Sequence, residues 1–351
     1  MQLTNKNKLP HPIMEALKYD TYKVGGDISV TTLIDAPQIR ILKMRHKDEI
    51  VQDASDMLWA LMGTAVHHIL ERAHIKDHRR EAFFTVIAFL KDECKKIESA
   101  DMVNDKAVAG ITQLMDTLKK CIIKFFPEVK DRYIWEHTLS FEYGGRILYG
   151  TFDLYDQIDC ILFDYKVCGV YVYSNEEAQK KWNAQTNTYA FMLRLEGREV
   201  KEIKIVAMFR DWSSAKAEFA ARDYPKTQVC VIDIPVVPQD KMQVWVEGRM
   251  DLHIGAEKGV VPECTDKERW ATANTFAIKK HGMKKAIKLF SAQQEGTAKE
   301  YVRVNNPKHD SKLYMETRIG EARRCEAYCV VRDFCEQKKR NDEEFRRINN
   351  S

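Results

Sequence analysis

Two aspartates and a lysine lie close together in a stretch that reads as consecutive strands. Asp153 ends one predicted strand, about residues 146–154, and Asp164 and Lys166 lie in the next, Ile161–Val167. Side chains alternate across a strand with a period of two, so Asp164 and Lys166 point to the same face. Two carboxylates suit a hard cation such as Mg²⁺, and a neighbouring ammonium can hold a water or stabilise charge on a phosphate. The pattern favours metal-assisted hydrolysis, although an Asp-x-Lys alone is usually a solvated strand face.

Turns on either side of these residues predict how the strands are connected. Gly144-Gly145 is a hairpin signal that joins a strand at about residues 134–143 to the strand that contains Asp153. Gln157 and its neighbours form a second turn before Ile161. The sequence therefore predicts three consecutive antiparallel strands around the two aspartates.

A helix is predicted at about residues 54–74, upstream of these strands. Its apolar residues recur with a period of 3.6, and Gly63, His67 and Glu71 lie along one edge of that stripe. A glycine inside a helix costs about 1 kcal/mol relative to alanine, so Gly63 suggests a close approach by another backbone. On this view His67 faces the sheet; considered alone, it is more often a structural, partly buried histidine.

A second long helix is predicted after the strands. Ser174 and Glu177 have the spacing of a capping box, and the helix extends to about Leu195. Gln185 and Tyr189 are four residues apart and so share one face, where both can form hydrogen bonds. Strands at about 200–209 and 227–235 and a helix at about 238–254 continue an α/β alternation.

Composition excludes several classes of protein. The chain has 351 residues, of which 44% are hydrophobic and 31% charged, and it has neither a membrane-spanning apolar run nor an apolar leader, so we expect a cytoplasmic protein. Residues 261–351 contain 20 Lys and Arg against 14 Asp and Glu. This basic segment either contacts a phosphate backbone or is ordinary surface lysine.

Four motifs occur in the order and approximate spacing of a known nuclease family. They are Gly63-Thr-Ala-Val-His67-His-Ile-Leu-Glu71, Gly150-Thr-Phe-Asp153, Asp164-Tyr-Lys166 and Gln185-Thr-Asn-Thr-Tyr189. Each motif is weak alone, but the four together resemble the PD-(D/E)XK nucleases of the RecB-like exonuclease branch, in particular phage-encoded members. The resemblance implies an α/β protein with a restriction-endonuclease-like mixed central sheet flanked by helices.

The resemblance also implies a set of metal ligands. His67, Asp153 and Asp164 would bind Mg²⁺ or Mn²⁺, with the main-chain carbonyl of Val167 assisting. Glu71 would either support His67 or be structural.

Further roles follow for three residues beside the metal ligands. Lys166 would position the nucleophilic water, and Gln185 and Tyr189 would support the site or the DNA. The implied activity is that of a metal-dependent DNA exonuclease in phage or bacterial recombination or repair, in the host cytoplasm if the chain is phage-encoded. The alternative is a non-catalytic DNA-binding or assembly module on the same fold. No phosphate-binding loop motif occurs in the sequence, so any unwinding would come from a helicase or recombinase partner.

Cysteines near the C-terminus give a second signal. The chain has nine cysteines, and Cys325, Cys329 and Cys335 form a triplet for which Cys264 is a plausible fourth ligand. Four thiolates suit either an iron–sulfur cluster or a structural Zn²⁺. The resemblance favours a 4Fe–4S cluster, although the family's upstream cysteine is replaced here at Ala36 and the first gap of the triplet is longer. The other five cysteines are expected to be buried core thiols.

These observations predict two parts of the chain. Residues 1–260 would form the nuclease core, with a helical insertion at about residues 79–130. Residues 261–351 would form a basic C-terminal module with a cysteine-ligated metal centre.

Overall fold

The structure is a computed structural model in which most of the chain is described. The predicted helical insertion at about residues 79–130 lies largely outside the described part. The described residues are 2–18, 25–75, 88–89, 92, 109–117, 132–219, 224–283, 285–306 and 312–349.

The described chain contains both strands and helices, in an order that mixes the two. The strands are β1 (Gln2–Thr4), β2 (Ile28–Ser29), β3 (Val51–Asp53), β4 (Tyr133–Tyr143), β5 (Arg146–Asp156), β6 (Ile161–Cys168), β7 (Glu202–Phe209), β8 (Val229–Ile234), β9 (Thr275–Lys280), β10 (Lys288–Ser291) and β11 (Leu313–Arg318). The longer helices and helical turns are α1 (His11–Lys18), α2 (Val30–Leu33), α3 (Pro37–Arg45), α4 (Leu58–Ile75), α5 (Glu176–Leu195), α6 (Ser214–Phe219), α7 (Gln239–Glu257), α8 (Asp266–Arg269), α9 (Glu295–Asn305) and α10 (Glu336–Asn349). No described helix combines the length and the apolar character needed to cross a membrane.

The chain divides into two compact units. The central-sheet unit comprises Asn5–Ile34 and Asp53–Asp251, and the cysteine unit comprises Met1–Thr4, Asp35–Gln52 and Leu252–Ser351. The division at residue 260 that the sequence suggested stays a prediction.

A mixed sheet of six strands is the centre of the larger unit. Its strand order is β2, β5, β6, β7, β8, and β4 also pairs with β5. The β4–β5, β5–β6 and β7–β8 pairs are antiparallel, whereas β2–β5 and β6–β7 are parallel. Helix α4 contacts β6, and α5 packs on β4 to β7. The predicted mixed α/β fold with a central sheet flanked by helices is confirmed.

The β4–β5 hairpin forms at the predicted glycines. Gly144 and Gly145 have φ angles of 58° and 72°, which glycine adopts without the steric cost that other residues incur. Tyr143 pairs with Arg146 across this turn. A two-residue turn fixes the register of the whole hairpin, and this register determines which side chains meet farther along the strands.

Helix α5 begins one residue later than the sequence suggested. Asn175, and not Ser174, is the N-cap, and its side chain accepts a hydrogen bond from the Ala178 N–H. Asparagine and serine are similarly favoured at this position, so sequence alone does not separate two adjacent candidates.

The two glycines of the sequence motifs have opposite surroundings. A Cβ atom built on Gly150 would lie 2.6 Å from Tyr189 Cε1 and 2.7 Å from Val30 Cγ2. At Gly63 no described atom lies within 4 Å of such a Cβ. The expectation that Gly63 marks a close backbone approach is therefore wrong within the described residues; the close approach is at Gly150, where β5 meets α5.

This contrast predicts the effects of two matched substitutions. Gly150→Ala should lower the free energy of unfolding by about 1–3 kcal/mol, because the added methyl group overpacks the contact with Tyr189. Gly63→Ala should raise it by about 0.5–1 kcal/mol, because alanine is the better helix residue and has room there. Urea denaturation of both variants measures the difference. Equal midpoints for Gly150→Ala and the wild type would contradict the packing at β5.

The cysteine unit has its own sheet and core. Strands β10, β9 and β11 form an antiparallel sheet, and apolar residues of α9 pack with Phe276, Ile278 and Phe290. Arg40 of α3 forms a 2.6 Å ion pair with Glu257 at the end of α7, and both side chains are largely buried.

Candidate active site

Three acidic residues occupy matching positions on three adjacent strands. In the β4–β5 register Trp135 lies opposite Leu154 and His137 opposite Phe152, so Glu136 lies at the level of Asp153, although the two residues do not themselves form a ladder pair. The β5–β6 pairing ends at Leu154 and Phe163, and Asp153 and Asp164 are the next residues beyond this last pair. Residues opposite each other on antiparallel strands share a face. The register therefore brings Glu136, Asp153 and Asp164 together.

Asp153 is the centre of this arrangement. Its side chain is largely buried, Oδ2 accepts a 2.6 Å hydrogen bond from the Tyr165 N–H, and Oδ1 lies 3.1 Å from His67 Nδ1. The carboxylate thus joins β5 to β6 and reaches α4. Its role as a metal ligand stays a prediction.

His67 on α4 is held by contacts at both ring nitrogens. Nε2 lies 3.1 Å from the Tyr165 carbonyl oxygen, and Nδ1 faces Asp153. Burial lowers the pKa of His67, but the hydrogen bond and the negative charge of Asp153 outweigh burial, so the pKa is raised above its usual value. A main-chain acceptor at Nε2 fixes the ring so that Nδ1 is the nitrogen available to a cation.

Glu136 is a site residue that the sequence analysis missed. Its Oε1 lies 4.0 Å from His67 Nδ1, and its backbone has a φ of 44°. This left-handed conformation is strained for a residue with a side chain, and such strain often occurs at functional sites. The signal that identifies Glu136 was present, because a two-residue turn at Gly144-Gly145 sets it opposite Asp153.

Asp164 and Lys166 form a close pair on β6. The Asp164 side chain is 3% exposed, and Lys166 Nζ lies 2.5 Å from Oδ2. The ammonium is therefore the direct ion-pair partner of this buried oxygen. Burial raises the pKa of Asp164 to about 6, although Lys166 acts in the opposite direction.

The donor set fits a divalent cation. Of the described side chains, only His67, Glu136 and Asp153 form a group of three potential metal donors whose atoms all lie within 4.8 Å of one another. Carboxylate oxygens and an imidazole nitrogen suit Mn²⁺, and the oxygens suit Mg²⁺. Asp164, whose Oδ2 is paired with Lys166, lies on the adjacent strand β6. When bound, a cation here would supply Lewis-acid stabilisation of a phosphate and activation of water.

The remaining predicted residues support the sheet around the site. Tyr189 is buried against Gly150, and its hydroxyl accepts a 3.2 Å hydrogen bond from Gln185 Nε2. Val167 is in register with Met208 of β7, one residue beyond Lys166. Its proposed use as a carbonyl ligand stays a prediction, as do the roles of Gln185 and Tyr189.

The four predicted cysteine ligands lie around one cavity of the cysteine unit. Cys264 precedes α8, Cys325 is in a π-helical turn, and Cys329 and Cys335 follow that turn. All four line the same cavity, together with Gln38, Arg324 and apolar residues such as Ile39 and Leu42. The sequence analysis had grouped these four cysteines, and the structure brings them together.

Polar residues fix the loop that contains Cys264. Gln337 accepts a hydrogen bond from the Cys264 N–H and donates one to its carbonyl oxygen, both at 2.9 Å. The Cys264 thiol donates to Gln38 Oε1 at 3.1 Å. Burial, the Glu268 carboxylate and the other three cysteines raise the pKa of Cys264 to about 12. Its thiolate therefore needs a cation or cluster in the cavity to stabilise it.

The spacing of the sulfurs distinguishes two kinds of metal centre. Four thiolates on one tetrahedral Zn²⁺ lie about 3.8 Å apart, as follows from a Zn–S distance of about 2.3 Å. Within the described residues, no three cysteines form a group with all sulfurs within 4.8 Å. In a four-iron cluster each thiolate binds a different iron, so the sulfurs are more widely separated. Either group would take its ligands from the four cysteines that line the cavity.

Other cysteines are not arranged in this way. Cys160, Cys168 and Cys230 are half-buried, which corrects the expectation of fully buried thiols, and Cys94 and Cys121 lie outside the described residues. Ala36, where the family's upstream cysteine was expected, is buried in a cluster that also contacts Cys264 and Cys329.

Two solved structures resemble the chain only distantly. The crystal structure of SSO0001 has a TM-score of 0.31 and 11% identity, over 73% of this chain and 94% of that chain. The crystal structure of a candidate exonuclease from Eubacterium rectale has a TM-score of 0.27 and 12% identity, over 56% of this chain and 69% of that chain. No curated protein sequence matches the chain significantly.

A sequence profile provides the stronger comparison. The profile of the PD-(D/E)XK nuclease superfamily matches residues 40–336, a span that contains the three acids, His67, Lys166 and all four clustered cysteines. The chain therefore belongs to the PD-(D/E)XK nuclease superfamily.

Proposed function

We propose that the protein is a divalent-metal-dependent deoxyribonuclease that degrades DNA from its ends. The observation that carries this proposal is the alignment of Glu136, Asp153 and Asp164 on three adjacent strands, with His67 and Lys166 beside them. Membership of a nuclease superfamily supports the reaction class. The finer assignment to the RecB-like exonuclease branch is supported by the motif order in the sequence.

Each side chain has a distinct task in phosphodiester hydrolysis. His67, Glu136, Asp153 and Asp164 hold the cation, which supplies charge stabilisation at the phosphate. Lys166 is partly exposed beside the buried Asp164, so its ammonium can orient the attacking water and stabilise charge on the phosphate oxygens. The buried carboxylates keep the ammonium close to the reacting phosphate.

We further propose that Cys264, Cys325, Cys329 and Cys335 bind a 4Fe–4S cluster. The shared cavity supports a metal centre, and the resemblance to iron–sulfur members of the RecB-like branch supports a cluster over a structural Zn²⁺. The cluster would connect the Cys264 loop to the segment of the triplet, within the cysteine unit.

The biological setting follows from the activity. Removal of nucleotides from DNA ends is required in phage and bacterial recombination and repair, and we place the protein there. The sequence has no phosphate-loop motif, so we propose that a helicase or recombinase partner supplies strand separation.

Metal binding should depend steeply on pH. Asp164 has a pKa of about 6, and the pKa of His67 is raised, so both hold protons in acid that a cation must displace. Mn²⁺ affinity should be highest well above pH 6 and should fall as the pH drops through 6, by up to about tenfold per pH unit for each displaced proton. Calorimetric titration between about pH 5 and about pH 8 measures this.

Asp164→Asn is the matched control for the pH dependence. The variant lacks the titrating carboxyl, so it should bind Mn²⁺ more weakly but with a shallower dependence on pH. An affinity that does not change with pH in the wild type would contradict the assignment of these groups as ligands.

Digestion of two forms of one DNA sequence tests the activity. Linear DNA with labelled ends and closed circular DNA are incubated with Mg²⁺ or Mn²⁺, and a parallel sample contains EDTA. The proposal predicts loss of the linear form, an intact circle and no reaction in EDTA. Cleavage of the circle would show an endonuclease. Binding of DNA without cleavage in either metal would show a non-catalytic module.

A further inference from the structure

An aromatic residue paired with an arginine is exposed near the candidate active site. Trp59 lies in the first turn of α4 and is 55% exposed. The guanidinium carbon of Arg210 lies 4.2 Å from the centroid of its indole ring, and Arg210 is itself exposed. One exposed tryptophan needs no explanation. The position of Trp59 relative to the acidic residues of the candidate active site does call for an explanation.

Helix α4 connects Trp59 directly to His67. Trp59, Gly63 and His67 are spaced by four residues and so lie along one side of the helix. Eight residues at 1.5 Å per residue separate the tryptophan from the histidine by roughly 12 Å. Gly63 lies midway, and no described atom occupies the space where its Cβ would be. Among the described residues, the space beside Gly63 between His67 and the indole ring is therefore open, and we call this side of the helix the track.

Strand β6 of the central sheet also connects the candidate active site to Trp59 and Arg210. Lys166 is followed on β6 by Cys168, whose carbonyl oxygen accepts a 3.0 Å hydrogen bond from the Arg210 N–H. Arg210 thus follows the end of β7, beside the end of the strand that contains the catalytic pair. The adjacent acid, Asp211, accepts a 2.7 Å hydrogen bond from the Val170 N–H. Two separate elements therefore connect the acidic site to Trp59 and Arg210.

We propose that Trp59 and Arg210 bind an unpaired base of the DNA strand being cut, so that the substrate is single-stranded at the active site. An indole ring can stack on any base, and an arginine beside it adds a positive charge for the backbone. In a duplex the base faces are covered by neighbouring pairs, so this surface selects a single strand or a frayed end. The proposal rests on the proposed function, because it uses the same site and the same substrate chemistry.

Binding without cleavage tests the surface. Fluorescence anisotropy in EDTA measures the affinity for a labelled oligodeoxythymidine and, by competition, for a relaxed closed circular duplex, which has neither ends nor loops. Trp59→Ala should weaken binding of the single strand by roughly 5- to 150-fold and leave binding of the closed duplex unchanged. Trp59→Phe should retain most of the affinity. Phe219→Ala, which removes another exposed aromatic ring of the same unit, should have no effect.

A second variant tests the track independently of Trp59. Gly63→Leu should remain folded, because leucine is a good helix residue and its Cβ meets no described atom. Its side chain would project into the track, so the affinity for the single strand should fall. Circular dichroism confirms the fold of the variant.

The possible results separate this proposal from the proposed function. Unchanged single-strand affinity in both Trp59→Ala and Gly63→Leu would overturn the binding surface, even if the protein cuts DNA. Equal losses for the closed duplex would overturn the selection for single strands. Loss of single-strand binding in both variants, with a wild-type protein that cuts no DNA, would leave the surface supported and reject the nuclease function.

Discussion

Lys166→Ala should reduce DNA cleavage by at least roughly 100-fold, the effect expected when a preorganised charge at the reaction centre is lost. The variant also deprives the buried Asp164 of its counter-ion. Because Lys166 lowers the pKa of that carboxyl, its loss should raise the pKa above about 6 and weaken metal binding at neutral pH. Activity assays with saturating Mn²⁺ separate the two effects, and a deficit should persist at saturation.

Lys204→Ala is the matched control for this prediction. Lys204 is on the neighbouring strand β7, pairs with Asp233 at 2.8 Å and has a side chain about as exposed as that of Lys166. Its removal should leave cleavage near the wild-type rate. Comparable losses of cleavage activity in both variants would mean that removing either lysine from the sheet impairs the protein, and that the effect is not specific to Lys166. Full activity of Lys166→Ala would remove this lysine from the mechanism.

Loss of one clustered cysteine should have the second large effect. Cys325→Ser should abolish the metal centre, because one of four ligands is missing, and should loosen the segment between Cys264 and Cys325, whose ends the centre joins. The wild type, purified without oxygen, should be brown, absorb near roughly 400 nm and contain iron and sulfide. Proteolysis should cut Cys325→Ser within the loosened segment.

Cys230→Ser provides the comparison for the cysteine prediction. Cys230 is a half-buried thiol of β8, away from the triplet in sequence, and its replacement should leave the iron content unchanged. A content of about one zinc per chain in the wild type would show that the cysteines bind a structural Zn²⁺ and not a cluster. The absence of iron and zinc in every preparation would contradict a metal centre at these cysteines.

The sequence predicts the catalytic strands well because their signals are local. Alternation places Asp164 and Lys166 on one face of β6, and Gly144-Gly145 places the hairpin turn. The same turn also determines the partner of Asp153. Counting seven residues back from Tyr143 would have identified Glu136, which the sequence analysis missed because it considered motifs and not strand register.

Features that depend on distant parts of the chain were less predictable. Gly63 was expected to be tightly packed, yet the tight contact is at Gly150, because it is set by where α5 crosses β5. The pairing of Trp59 with Arg210 joins residues about 150 positions apart in the sequence. A periodic pattern within one helix or strand cannot predict such a contact. The cysteine cavity was predictable because thiol spacing is a chemical signal that does not depend on packing.

Mn²⁺ titration of metal-free protein without DNA tests the central claim most directly, because it examines the ligand set apart from any assay of cleavage. The wild type should bind Mn²⁺ at this site at neutral pH. Glu136→Gln, which removes only the charge of the ligand found through strand register, should bind it at least roughly tenfold more weakly, and Asp153→Ala should not bind it measurably. Unchanged Mn²⁺ affinity in Asp153→Ala would contradict a metal centre at these strands.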